Sequence, residues 1–155
     1  MRSLSRIDTV PILRPPRALI ATPVSTPREH KVIVVLAAVI ERHGRILITQ
    51  RPEHTHLGGL WEFPGGKCEP GETHTQCLER ELREELGVQA VVGDELLVTD
   101  HAYPERTVRL HFRRCTITGE PAARLGQAMR WIRREDLDVL EFPPADRELI
   151  ENLKV

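Results

Sequence analysis

Long apolar runs are missing from this 155-residue chain. The longest, Val32 to Ile40, covers nine residues, about half of what a membrane-crossing helix needs. Charge of either sign is not in excess: 22 Lys and Arg stand against 23 Asp and Glu, a formal net charge of −1. No global basic field therefore draws the chain to a nucleic-acid polymer or an anionic membrane. Cysteine is scarce, and Cys68, Cys77 and Cys115 form an odd set with no Cys-x-x-Cys spacing. That argues against a disulfide framework and for a reducing cytoplasm. With no partnered base in sight, all three read as small buried apolar residues. Glycine is absent from the first thirty residues, which carry five Pro, five Arg and two acids. This stretch has no apolar core of signal-peptide length. It is expected to form a flexible or extended arm over residues 1–30, ahead of one domain over 31–155.

What is present is ordered punctuation. Val32–Ile40 is β-branched and apolar on both faces, as a central buried strand requires. "ERHGR" turns the chain, and Arg45–Arg51 returns as a second strand. Pro52–Gly59 reads as a loop and Leu60–Phe63 as a short strand. Glu72 or Thr73 starts a helix that stops at Gly87. Val88–Val98 is strand-like with a Gly-Asp interruption, and Thr107–Thr118 alternates as a half-buried strand. Met129–Ile132 makes a short strand, "REDLDVL" a helical turn, and Pro144–Leu153 a terminal helix with Pro in its first turn. No internal repeat is visible. The mixture predicts a layered α/β (α+β) domain.

The helix is chemically unusual. Leu78, Leu82 and Leu86 form one apolar stripe, and Glu81, Glu84 and Glu85 share an adjoining arc about 100° wide. At ~6 Å and an effective dielectric of ~20, each pair of these charges costs about 3 kcal/mol. Two remedies are open: ion pairs with Arg80 and Arg83, or a divalent cation, since carboxylate oxygens suit Mg²⁺ or Mn²⁺. The preceding "FPGGKCEPGE" favours the cation. It supplies glycine backbone that can approach an anion, Lys67 to meet a phosphate oxygen, and Glu72 near the helix start.

Residues Gly66–Val88, "GKCEPGETHTQCLERELREELGV", resemble the Nudix box, Gly-x5-Glu-x7-Arg-Glu-U-x-Glu-Glu-x-Gly-U, at every fixed position. "LWEFPGGK", "LITQRP" and "FPPAD" resemble the MutT branch, so the likeness spans about residues 31–153. It implies a Nudix fold, a mixed β-sheet sandwiched between helices with the box as loop–helix–loop. The implied reaction is hydrolysis of a nucleoside diphosphate linked to another group. In the MutT branch this is a nucleoside triphosphate cleaved to monophosphate and pyrophosphate, as in the removal of 8-oxo-dGTP. By the same resemblance Glu81, Glu84 and Glu85, with Gly65 backbone, would hold the metal. Glu72 and Arg80 would orient them, and Lys67, Gly65 and Gly66 would lie beside the phosphates. Glu81 is the first candidate for the base that takes the water's proton.

Leu125 departs from the pattern, standing where an acid is expected before "GQ…W"; Glu120 is the nearest replacement. This leaves a Nudix-fold nucleotide sensor without turnover as a rival from another class. At the base end, "YPER" nominates Tyr103 and Arg106 as purine-pocket residues, and Arg51 as a contact to phosphate or base. Asp146 stands where oxidised-guanine enzymes often carry Asn. As an ionised acid it only accepts hydrogen bonds, which also admits cytosine-like substrates; its alternative is to cap the last helix. A zinc site from His54, His56 and Cys68 is weakly supported, because the spacing is not fixed. Trp61 and Phe63 are expected in the core or the pocket wall. Expected partners are a nucleotide and at most a second copy of the chain, as monomer or homodimer.

Overall fold

The computed structural model describes residues 30–155; the arm expected over 1–30 lies, apart from His30, outside the described residues. The elements run β1 (Lys31–Arg42), β2 (Arg45–Gln50), β3 (Trp61–Glu62), β4 (Gly65–Lys67), α1 (His74–Leu86), β5 (Gln89–Tyr103), β6 (Arg106–Thr118), β7 (Met129–Arg133), 3₁₀ turns at Arg134–Val139 and Pro144–Asp146, and α2 (Arg147–Leu153). Strand order is β3-β2-β1-β6-β5, with β4 also on β1 and β7 also on β2. β1 and β6 are parallel, Lys31 opposite Arg106 and Ile40 opposite Cys115, while the other ladders are antiparallel. The sheet is therefore mixed, as expected.

β1 is central and two-faced because its side chains alternate between two cores. Ala37 and Val39 join Ile46, Ile48, Phe63, Phe112 and the residues of α2 on one side. Leu36, Ala38 and Ile40 meet Cys77, Leu78, Leu82 and Leu86 of α1 on the other. Both antiparallel partners of β1 grip short lengths of it, while β6 runs along ten residues. β2 pairs at Glu41 and Arg42, and β4 pairs at Val35–Ala37. Between those grips β2 parts from β1, opening the sheet on the α2 side.

His43 (φ 51°) and Gly44 (φ 72°) form the two-residue hairpin turn, whose positive φ values match the twist of the flanking strands. α1 starts at an N-cap Thr73 that exchanges hydrogen bonds with Gln76 in a capping box, and ends at Gly87 in the left-handed region. Four sequence expectations need correction. Gly65–Lys67 is a strand, not a flexible loop, held by register with Leu36. β5 runs unbroken to Tyr103; the Gly-Asp interruption is absorbed as a bulge between Val92 and Glu95. The terminal helix begins only at Arg147, after a separate 3₁₀ turn. Cys68 and Cys77 form a disulfide with Cα atoms 5.1 Å apart, and only Cys115 is free and buried. Spacing in the chain hid that pair because β4 and the first turn of α1 fold back on each other.

Candidate active site

α1 presents its acids through one cation. The Arg80 guanidinium donates to Glu72 Oε1 (2.6 Å) and Oε2 (3.0 Å), to Glu81 Oε1 (2.9 Å), to Glu84 Oε2 (3.3 Å) and to the Lys67 carbonyl (3.0 Å). A planar five-donor fork does this where a lysine ammonium cannot. The arrangement holds Glu72 well below the ordinary carboxylate range, chiefly through the Arg80 hydrogen bond and then the Glu69 N–H. Arg80 itself is held more firmly protonated, first by Glu72.

Glu81 and Glu85 are in the opposite situation. Burial is the main cause that raises the pKa of both; Arg80 pulls Glu81 back, while Glu84 adds to the rise. Glu85 is pushed up to about 8, by burial first and then by the negative charge of Glu62 and Glu81. Among the described residues its one side-chain hydrogen bond comes from the Gly65 N–H at 3.4 Å. Both glycines of "PGG" are needed for close approach, not looseness. A Cβ on Gly65 would lie 1.9 Å from the Leu36 carbonyl oxygen, and one on Gly66 would lie 2.5 Å from the Glu81 carboxyl carbon.

Beside these acids, where β2 parts from β1, lies a cavity of about 410 Å³, within the ~300–1,000 Å³ of ordinary ligand pockets. All six residues expected at a substrate, Arg51, Gly65, Gly66, Tyr103, Arg106 and Asp146, line it, as do Lys67, Glu85 and Leu125. Tyr103 and Arg106 face each other across the β5–β6 hairpin, with the guanidinium 5.9 Å from the ring centroid. His56 packs edge-on against the same ring at 5.3 Å. Arg51 donates to Glu62 Oε2 (2.8 Å) and to the His56 carbonyl (2.9 Å), so it spans the loop and the sheet. Phe63 forms part of the wall and of the core; Trp61 is half-buried beneath Arg130.

Asp146 does not cap α2. It occupies the N-cap position without a side-chain cap hydrogen bond, is 4% exposed, and turns its carboxyl toward the cavity. Burial, reinforced by Glu62 and opposed by Arg51, pushes it up to about 7. It therefore reaches both protonation states near neutrality and is not held as a fixed acceptor. Glu120 is removed as a replacement acid: it bridges to Arg42 at 3.0 Å and is not on the cavity wall. The zinc expectation also fails, since Cys68 is committed to its disulfide. Leu125 stays exposed on the rim. Its N–H is bound by Gln127, whose amide donates to the Glu85 carbonyl and so fastens this loop to the end of α1.

One acid was missed by sequence reasoning. Glu62 lines the cavity, faces both Glu85 and Asp146 electrostatically, and is raised by burial against the pull of Arg51. Alternation inside "WEF", with Trp61 and Phe63 taken as apolar, was the available signal.

The sequence profile of the NUDIX domain matches residues 35–152. A CTP pyrophosphohydrolase of Escherichia coli is 44% identical over 124 residues, 78% of this chain and 90% of that protein. An 8-oxo-dGTP diphosphatase of Haemophilus influenzae is 38% identical over 127 residues, 81% and 93% of the two chains. The solution structure of the Escherichia coli ORF135 protein superposes with a TM-score of 0.72 at 42% identity, covering 79% of this chain and 88% of that one. No helix among the described residues is long and apolar enough to cross a membrane. By profile, relatives and fold together, this chain belongs to the NUDIX domain family.

Proposed function

We propose that this Nudix hydrolase splits nucleoside triphosphates into monophosphate and pyrophosphate, with oxidised purine triphosphates such as 8-oxo-dGTP as its leading substrates, in the cytoplasm. The observation that carries the reading is that Glu85 of the α1 carboxylate group lines a nucleoside-sized cavity, with Glu81 reaching it only through Gly66 and Glu84 lying off its wall. The donor set fits a hard divalent ion. Glu81, Glu84, Glu85 and the Gly65 backbone offer oxygen alone, and Glu81 and Glu85 hold raised pKa values that a cation would relieve. Nudix hydrolases generally use divalent metals, and Mg²⁺ or Mn²⁺ is the proposed occupant. When bound, such ions neutralise charge on phosphoryl oxygens and acidify water.

The chain's own residues do the rest. Arg80 and Glu72 fix the rotamers of Glu81 and Glu84, as outer partners of metal ligands do. Lys67 and Arg51 stand where a phosphate chain entering from α1 passes toward the base. Tyr103 offers a ring face and Arg106 a guanidinium to a purine. The proton of the attacking water goes to a carboxylate of the α1 group. Glu81 is the first candidate for that base. Leu125 takes no part in that step.

A second reading is favoured by the two cavity acids Glu62 and Asp146, which accept from an exocyclic amino group, and by the CTP-cleaving relative. It makes cytidine triphosphates the preferred substrates. Pyrophosphate release across 8-oxo-dGTP, dGTP, CTP, dCTP and nucleotide sugars separates the readings. Nucleotide binding by calorimetry with no turnover of any of them would leave only a sensor. Glu84→Gln is expected to lower kcat by about a hundredfold or more, the scale of lost electrostatic help at a reacting centre.

A further inference from the structure

Away from the cavity, three side chains converge for which the hydrolytic reading has no use. His74 is the first residue of α1. His111 lies on β6, on the sheet face that α1 covers. Glu95 lies on β5 at the bulge, where the register shifts on both sides of it. The imidazole centroids of His74 and His111 are 4.4 Å apart with planes at 58°, and His111 Nδ1 is 2.6 Å from Glu95 Oε1. One donor atom from each residue falls within 4.8 Å of the other two. None of the three lines the cavity.

The neighbouring cations on that face of β6 are engaged elsewhere. Arg109 forks onto Asp100, and Arg113 donates to the Gly93 carbonyl. Among the described residues His111 is the one salt-bridge partner of Glu95. The bulge matters here: in the plain antiparallel ladder Val98 is the residue opposite His111, and the extra residues of β5 swing Glu95 back toward the ring.

We propose that His74, Glu95 and His111 form a site for a borderline-soft divalent transition ion of the zinc type, separate from the hard-ion carboxylates of α1. Two imidazoles and one carboxylate are a donor set for Zn²⁺ or Co²⁺, whereas Mg²⁺ prefers oxygen alone. Ligand bonds of about 2.0–2.2 Å set tetrahedral donors about 3.3 Å apart, so side-chain shifts of roughly 1 Å suffice, opening the 2.6 Å His111–Glu95 contact and drawing His74 in. Glu95 is 41% exposed and His111 12%, which gives the ion an entry path on one side and a firm seat on the other. Three protein ligands leave a fourth position for water or an external ligand. Occupancy would staple the first turn of α1 to the bulged edge of the sheet, so the ion acts on the stability of the helix that carries the box.

The test uses the full chain, unreduced so that the disulfide stays closed, in excess Mg²⁺ to fill the hard sites. Zn²⁺ is added alone, without nucleotide, and the imidazole ¹H–¹⁵N signals of each histidine are followed. One equivalent is expected to move His74 and His111, to leave His54 and His56 in place, and to raise Tm. His111→Ala and Glu95→Gln are each expected to weaken Zn²⁺ by at least about tenfold. Glu95→Gln conserves volume on the surface, so its circular dichroism and Mg²⁺-dependent turnover should match the parent. Equal Zn²⁺ affinity in parent and Glu95→Gln, or shifts confined to His54 and His56, would overturn the proposal.

Discussion

Replacing Glu85 by Gln should make the metal-free protein more stable and the enzyme nearly inert. The Gln side chain keeps an oxygen for the Gly65 N–H and removes a charge that burial, Glu62 and Glu81 all oppose. A folded pKa raised above the unfolded value means that the native state keeps a proton the unfolded chain has lost. Stability is then complete below pH 4.5 and declines as pH climbs to about 8. At about 1.4 kcal/mol per pH unit, that interval is a ceiling of about 5 kcal/mol. Proton uptake by Glu62 and Glu81 in its place reduces the net gain to about 2–3 kcal/mol. In EDTA at pH 9, urea denaturation should show Glu85→Gln ahead by that amount, with Tm up by roughly 5–10 °C for a domain of this size. At pH 4 the two proteins should agree within about 0.5 kcal/mol. Saturating Mg²⁺ should restore the parent and leave the variant unmoved. If the variant were equally or less stable at pH 9 without metal, the carboxylates would not be crowded, and the case for a cation among them would fail.

Arg80→Ala strands Glu72 and Glu81 together and should lower the urea midpoint, with turnover down by more than tenfold. Thr73→Ala removes one half of the capping box and should lower stability by about 1 kcal/mol, with kcat within about twofold of the parent. Asp146→Asn fixes one donor and one acceptor at the cavity wall. Base preference in kcat/KM, measured from pH 6 to 8, should drift with pH in the parent and stay level in the variant, because burial pushes Asp146 up to about 7.

Helix α1 was legible because its signals are local: a capping residue, a leucine stripe at helical spacing and a glycine that alone tolerates the left-handed stop. The carboxylate arc followed from the same periodicity, and the residues gathered round the cavity followed from the family resemblance. What escaped depends on partners distant in the chain. Gly65–Lys67 has no strand signature of its own and is extended only because β1 offers it an edge. Glu62 sits in a two-residue strand, where alternation between Trp61 and Phe63 was the one faint signal. Asp146 sits where a cap belongs, yet it closes the 3₁₀ turn Pro144–Asp146 and makes no cap hydrogen bond. The Cys68–Cys77 pair needed β4 and α1 to be docked before the two sulfurs met. Nothing within nine residues of sequence announces that.

The parallel seam between β1 and β6 sets an order of assembly. Hairpins such as β1–β2 and β5–β6, and the capped helix, close over short spans, whereas Lys31 and Arg106 must find each other across about half the chain. The cavity beside Glu85 takes one wall from each side of that seam. A refolding chain therefore has every helix and hairpin in hand before it has anywhere to hold a ligand, and regained ligand binding clocks the last, slowest closure of the sheet.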